Sequence, residues 1–162
     1  MLTADIDILL AMIDQAYDHR SWHGTNLRGS LRNVSLTEAR WRPGRGRHNV
    51  WEIVVHCAYW KYAVRRRLTG ERRGSFGLKG SDWFVRPEHA TEAAWRADVR
   101  LLGDTHRSLR AAIATLDPPR LQRAAPGRTS TTPLALIVGA AAHDLYHAGQ
   151  IQLLKRLAKN AA

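Results

Sequence analysis

Cysteine is almost missing: Cys57 is the one thiol among 162 residues, so no intramolecular disulfide can form, and a reducing compartment, the cytoplasm, is expected. Long apolar runs are missing too. No stretch reaches the roughly eighteen residues of a membrane helix, and Met1-Leu2-Thr3-Ala4-Asp5-Ile6-Asp7 lacks the basic start and apolar middle of a secretion signal. Strand-like alternation, internal repeats and low-complexity tracts are likewise not found, which argues against a sheet protein. Acidic residues are few, 14 against 25 Lys and Arg, for a net charge of +11. That balance attracts phosphate backbones in general. The dense arginines of residues 40–47 and 65–73, however, flank expected helix ends, where cations suit the helix dipole, and a basic balance alone is not a binding motif, so nucleic acid is not the expected partner.

What remains is rich in core material. Hydrophobic residues make up 44% of the chain and six are Trp, a composition that packs rather than stays disordered, and the length suits a single domain spanning 1–162.

The periodicity is helical. Leu2, Ile6, Leu9, Ile13 and Tyr17 form an amphipathic stripe that predicts a helix to about Arg20. The stretch from Ser21 to Arg32 reads as a kinked continuation or a short separate turn. Ser35-Leu36-Thr37-Glu38 is a capping box opening a short helix that ends before Pro43. A second long helix opens at Asn49, with Glu52 placed to reach back to the cap, and runs to about Leu68 before Gly70. Its first turns are apolar nearly all round, which marks it as central. From Thr69 to Pro87 runs a long crossover with Phe76, Trp83 and Phe84, able to cover a site mouth. Trp95, Val99, Leu102, His106, Leu109, Ile113 and Leu116 define the third long helix. Thr132-Pro133 supplies the cap and first-turn proline of the fourth, to about Ala158. The expected fold is all-α, a four-helix bundle with a long crossover between the second and third long helices.

In the fourth helix His143 and His147 stand four residues apart, about 40° around the axis and one turn along it, so both can reach one ion. His56 lies mid-helix in the most hydrophobic stretch of the chain, where an unpaired ring nitrogen is costly. A shared divalent metal explains all three. Three neutral imidazoles suit zinc, nickel, copper or iron, and leave a coordination position open for water or substrate. The competing explanation is three separate core histidines, each satisfied by a carbonyl or a neighbouring side chain.

The segment Trp51-Glu52-Ile53-Val54-Val55-His56-Cys57-Ala58-Tyr59-Trp60 resembles the second-helix motif of the DinB/YfiT-like family, and residues 139–154, with His143-Asp144-Leu145-Tyr146-His147-Ala148-Gly149-Gln150-Ile151, resemble its fourth-helix motif. Looser likeness extends through Trp22-His23-Gly24, Leu36-Thr37-Glu38-Ala39, Trp41-Arg42-Pro43 and Lys79-Gly80-Ser81-Asp82-Trp83. The resemblance implies a four-helix bundle, a divalent metal, zinc or nickel first, on His56, His143 and His147, and a homodimer. It also implies a small-molecule substrate with a low-molecular-weight thiol as co-substrate, as in thiol transferases and maleylpyruvate isomerase; it does not imply DNA polymerase activity. A metal-dependent transferase or hydrolase is the leading expectation, with a non-catalytic metal-containing or nucleic-acid-binding helical module as the alternative.

Around that core the sequence nominates further residues while leaving the catalytic groups unknown. Gln150 falls near the meridian of His143 and can support the ligands. Asp144 sits where zinc proteases carry their base, but it is shorter than Glu and starts about 100° away from His143, so it is expected to hold a neighbouring group. His106 is a candidate fourth ligand or a hydrogen-bonded core residue. Trp22 and His23 are candidates for a pocket wall, and Trp60, one turn after His56, for structural walling of the cavity.

Overall fold

The computed structural model describes residues 4–87, 89–124 and 131–161. Leu2, the first residue of the expected first stripe, lies outside them, as do residues 125–130 of the polar connection before the last helix. All regular structure among the described residues is helical.

Helix α1 spans Ala4–Tyr17 and buries Ile6, Leu9, Ile13 and Tyr17 along its stripe. It stops short of Arg20, because the amides of Asp18 and His19 both turn onto the Asp14 carbonyl at 2.9 and 2.8 Å. Asn26 then holds the His19 carbonyl at 2.9 Å and caps a separate short helix α2, Leu27–Ser30. Helix α3, Leu36–Arg40, opens on the complete Ser35–Glu38 capping box.

Helix α4 spans Val50–Thr69, and every residue from Val50 to Tyr59 is buried. Each fully buried Val, Ile or Trp there contributes roughly 1.5–3 kcal/mol. Asn49 caps the helix by accepting the Glu52 amide. The Glu52 side chain does not return to the cap, contrary to expectation: Arg42 grips both its oxygens at 2.9 and 2.6 Å, a charge-assisted fork that outcompetes one neutral amide. The helix ends at Gly70 in the left-handed conformation, φ 78°, which glycine adopts without a Cβ penalty.

Helix α5 spans Glu92–Ala114; a 3₁₀ turn at Pro118–Arg120 follows, and α6 runs Pro133–Asn160 behind the Thr132 cap. Each long helix packs on two others, α4 on α5 and α6, and α1 on α5 and α6, the neighbour scheme of a bundle. Directions follow from paired residues. Trp51 meets Asp98 and Trp95, near the start of both helices, so α4 and α5 run parallel. His56 meets His147 and Lys61 meets Asp144, so α6 opposes α4. Asp14 meets Arg110 and Tyr17 meets His106, so α1 opposes α5. A parallel α4–α5 pair requires a crossover, and residues 70–91 supply it, with Phe76 and Phe84 packed on Tyr59.

Candidate metal centre

The stretch that makes α4 central also places His56 on its α6-facing side, and the i, i+4 spacing of α6 presents His143 and His147 to it. The ligand atoms of the three lie within 4.8 Å of one another. His143 Nε2 is 3.0 Å from His56 Nε2 and 3.1 Å from His147 Nε2. His56 and His147 are buried; His143 keeps partial contact with solvent.

The outer nitrogens decide what the inner ones can do. His56 Nδ1 lies 2.9 Å from the Asp82 carbonyl and 3.3 Å from the Asp82 carboxylate, while His147 Nδ1 lies 2.7 Å from Gln150 Oε1. Facing acceptors, both Nδ1 atoms carry the proton, so in the neutral rings both Nε2 atoms are lone-pair acceptors. His143 Nε2 can donate to only one of them. A neutral trio therefore leaves a lone pair against a lone pair at about 3 Å, an arrangement a cation between them relieves.

The rings are held neutral. Burial, then the neighbouring His147 and His56, bring His143 down to about 3. Burial, then His56, bring His147 down to about 4, with the Gln150 hydrogen bond acting the other way. Burial also lowers His56, against the Asp82 carbonyl and carboxylate.

The crossover closes the site from outside. Trp83 is sandwiched between His48 at 3.6 Å and His56 at 3.9 Å, its plane nearly parallel to both rings. Asp82 takes a left-handed backbone, φ 65°, a conformation Asp tolerates better than most residues, and accepts the indole proton of Trp60 at 2.8 Å. Trp60 presents its ring to His56 and His143, each at 6.4 Å. Sequence reasoning put Trp83 on a crossover able to cover the site mouth, but gave Asp82 and His48 no role there, because a loop carries no periodicity to place them.

Asp144 is 1% exposed and forms an ion pair with Lys61, itself 2% exposed, which ties up the carboxylate as the neighbouring-group reading expects. Cys57, His143 and Asp144 form a second cluster of possible ligands. It fits a metal less well: the Lys61 cation occupies Asp144, and burial raises the Cys57 thiol well above its ordinary value, keeping it protonated.

Three nominated residues stand elsewhere. His106 stacks on Tyr17 at 3.8 Å, with Nε2 3.7 Å from Asp14, and is a core histidine rather than a fourth ligand of this cluster. Trp22 is 96% exposed and forms no wall. His23 is exposed and pairs with Ser21 at 2.8 Å.

No curated protein and no solved structure matches the chain. The family model of the DinB superfamily matches residues 19–151, which carry all three histidines, and the chain belongs to that superfamily.

Proposed function

We propose that the chain is a metal-dependent enzyme in which His56, His143 and His147 hold one divalent ion, zinc or nickel first, for transfer to or from a low-molecular-weight thiol or for hydrolysis. The observation that carries this reading is the convergence of three Nε2 atoms, two of them committed as acceptors by Asp82 and Gln150. The separations from His143, 3.0 and 3.1 Å, come close to what adjacent ligands of a tetrahedral ion require, about 3.3 Å for bonds of about 2.0–2.1 Å.

A bound ion would supply a Lewis acid that brings the pKa of a coordinated water or thiol toward neutrality. The chain's own residues do the rest. Asp82 and Gln150 orient two rings through their outer nitrogens. Trp83 and Trp60 exclude water from the His56 side, and the partly open flank at His143 is where a substrate approaches. Asp144 cannot act as the base while Lys61 holds it, and the Asp82 carboxylate, behind His56 at its outer nitrogen and accepting the Trp60 indole proton, orients the His56 ring instead of serving as a base. Membership in the superfamily supports the thiol over other nucleophiles.

The test is His147→Ala. Two histidines cannot complete the set, so metal content measured by mass spectrometry should collapse while helical circular dichroism and a cooperative melt persist, the packed helices supplying the main folding drive. Wild-type protein that takes up neither zinc nor nickel and melts identically with and without chelator would sink the proposal.

A homodimer belongs to the same reading, supported by an exposed stripe on α6. Val138, Ala142, Tyr146, Gly149, Leu153 and Leu157 are all exposed, and their spacing is symmetric about the 147–148 peptide. An antiparallel two-fold pairing therefore sets Tyr146 over the partner's Gly149, where a Cβ would meet nothing within 4 Å, and Ala142 against the partner's Leu153. The same pairing brings Arg156 and Lys159 toward the end where the partner's α1 carries exposed Asp5 and Asp7, a charge match at the rim.

A further inference from the structure

Away from the histidines the surface is also concave. A cleft of about 880 Å³ opens between the end of α1, the α2 segment and the face of α5, within the size range of small-molecule sites. Its lining carries Arg28 and Arg32 from one wall, Arg100 and Arg107 from the other, and Tyr17.

The charge there is not balanced internally. Asp104 is taken by Arg107 and Asp18 pairs with His19, so four lining arginines face two carboxylates. Arg28, Arg32 and Arg100 have no carboxylate partner among the described residues. Cations gathered around a concave surface repel one another, and an anion placed among them relieves all the pairs at once. Guanidinium groups, with their forked donors, suit phosphate and carboxylate oxygens.

The walls are held in place. Lys155 of α6 donates to the carbonyls of Ser30 and Arg32 at 2.9 and 2.8 Å, and Asn26 caps α2, so the Arg28–Arg32 side is anchored. Tyr17 stacks on His106 with its hydroxyl toward Arg28 and the bare backbone of Gly103. A glycine mid-helix costs roughly 1 kcal/mol against alanine; here a Cβ would lie 3.5 Å from the Tyr17 hydroxyl and 3.4 Å from Arg107 Nη1, so its absence leaves that floor open. Leu31, Val99 and Leu102 add apolar surface beneath the cationic rim.

We infer that this cleft is a second binding site, remote from the three histidines, for a small organic dianion: an apolar body carrying a phosphate ester or two carboxylates. The guanidinium groups hold the charges, the Tyr17 hydroxyl supplies one neutral donor, and the apolar floor takes the body of the ligand.

Calorimetric titration with phenyl phosphate and with phthalate, against neutral benzamide, tests it and separates phosphate from carboxylate preference. Saturable one-to-one binding of at least one dianion and none of benzamide is expected. Arg28→Glu and Arg100→Glu should each weaken it at least tenfold, and Tyr17→Phe more modestly, whereas Arg72→Glu, an exposed arginine outside the cleft, should leave it unchanged. His147→Ala should bind the dianion like wild type, which keeps this inference separate from the metal proposal. Circular dichroism on each variant confirms the fold. Equal loss in Arg28→Glu and Arg72→Glu would show a diffuse charge effect and overturn the site. So would the absence of binding by both dianions, or their displacement by a duplex oligonucleotide whose own binding falls in the same cleft variants.

Discussion

Replacing Lys61 by Met, Asp144 by Leu, and both together probes a buried ion pair whose members are 2% and 1% exposed. Each single change strands its partner's charge or polarity away from water. Breaking such a pair from one side costs about 3–5 kcal/mol, and for a protein of this length a loss of 1 kcal/mol lowers the melting temperature by roughly 2–4 °C. Either single variant should therefore melt about 6–20 °C below wild type. Lys61 grips Oδ2 of Asp144, and Oδ1 has no hydrogen-bond partner among the described residues, so even the native pair leaves desolvation uncompensated. The double variant fills similar volume with apolar atoms and should recover most or all of the loss. Urea unfolding followed by circular dichroism, in chelator so that no ion contributes, gives the cycle directly; a coupling of at least about 2 kcal/mol is expected. Singles costing less than about 1 kcal/mol each, or a double as unstable as the sum of the two, would refute the reasoning.

Acid should weaken the metal-free protein, because His143 and His147, pulled from 6.5 to about 3 and about 4, and His106, pulled to about 3 by burial and nearby cations, stay neutral when folded but take protons when unfolded. Their contribution is fully present above the unfolded value of 6.5 and is lost as pH falls toward the folded values. Going from neutrality to a pH one unit below 6.5 should remove about 2–4 kcal/mol, discounted for the solvent that reaches His143; urea midpoints that do not move would contradict the burial of these rings. Asp82→Gly keeps the left-handed backbone and the carbonyl that His56 faces while deleting the carboxylate, so zinc affinity should fall about 10–100-fold with little change in melting; an unaltered affinity would remove Asp82 from the site. Tyr146→Glu should turn a dimer into a monomer in sedimentation at micromolar concentration, and a wild-type protein already monomeric there would dispose of the α6 interface.

Local rules carried the helix starts: Ser35, Asn49 and Thr132 cap where hydroxyl or amide side chains precede an apolar period. They also made the histidine spacing readable, since i, i+4 is a local relation and the apolar surroundings of His56 mark it as buried. They failed where partners are distant in the chain. Lys61 has its partner in Asp144, 83 positions away, and the Glu52 side chain left its cap for Arg42 in the loop before α4, beyond the reach of a capping rule. Trp22, conspicuous by type, stands in solvent on the turn after α1, because residue type alone does not say what a side chain will find to pack on.

The ligand spacing also bears on the order of events when the chain folds. His143 and His147 are four residues apart, whereas His56 and His143 are separated by 87. Any α6 that has formed its turns offers the local pair; the third nitrogen arrives only after a loop of that length closes, at an entropic cost of about 4 kcal/mol. That closure is achieved by packing of the apolar faces, before the site is complete. An ion held by all three would thus contribute little to the folding transition state and much to the native state, slowing unfolding while leaving the folding rate nearly unchanged. It would serve as a latch on a finished structure and not as a seed for it.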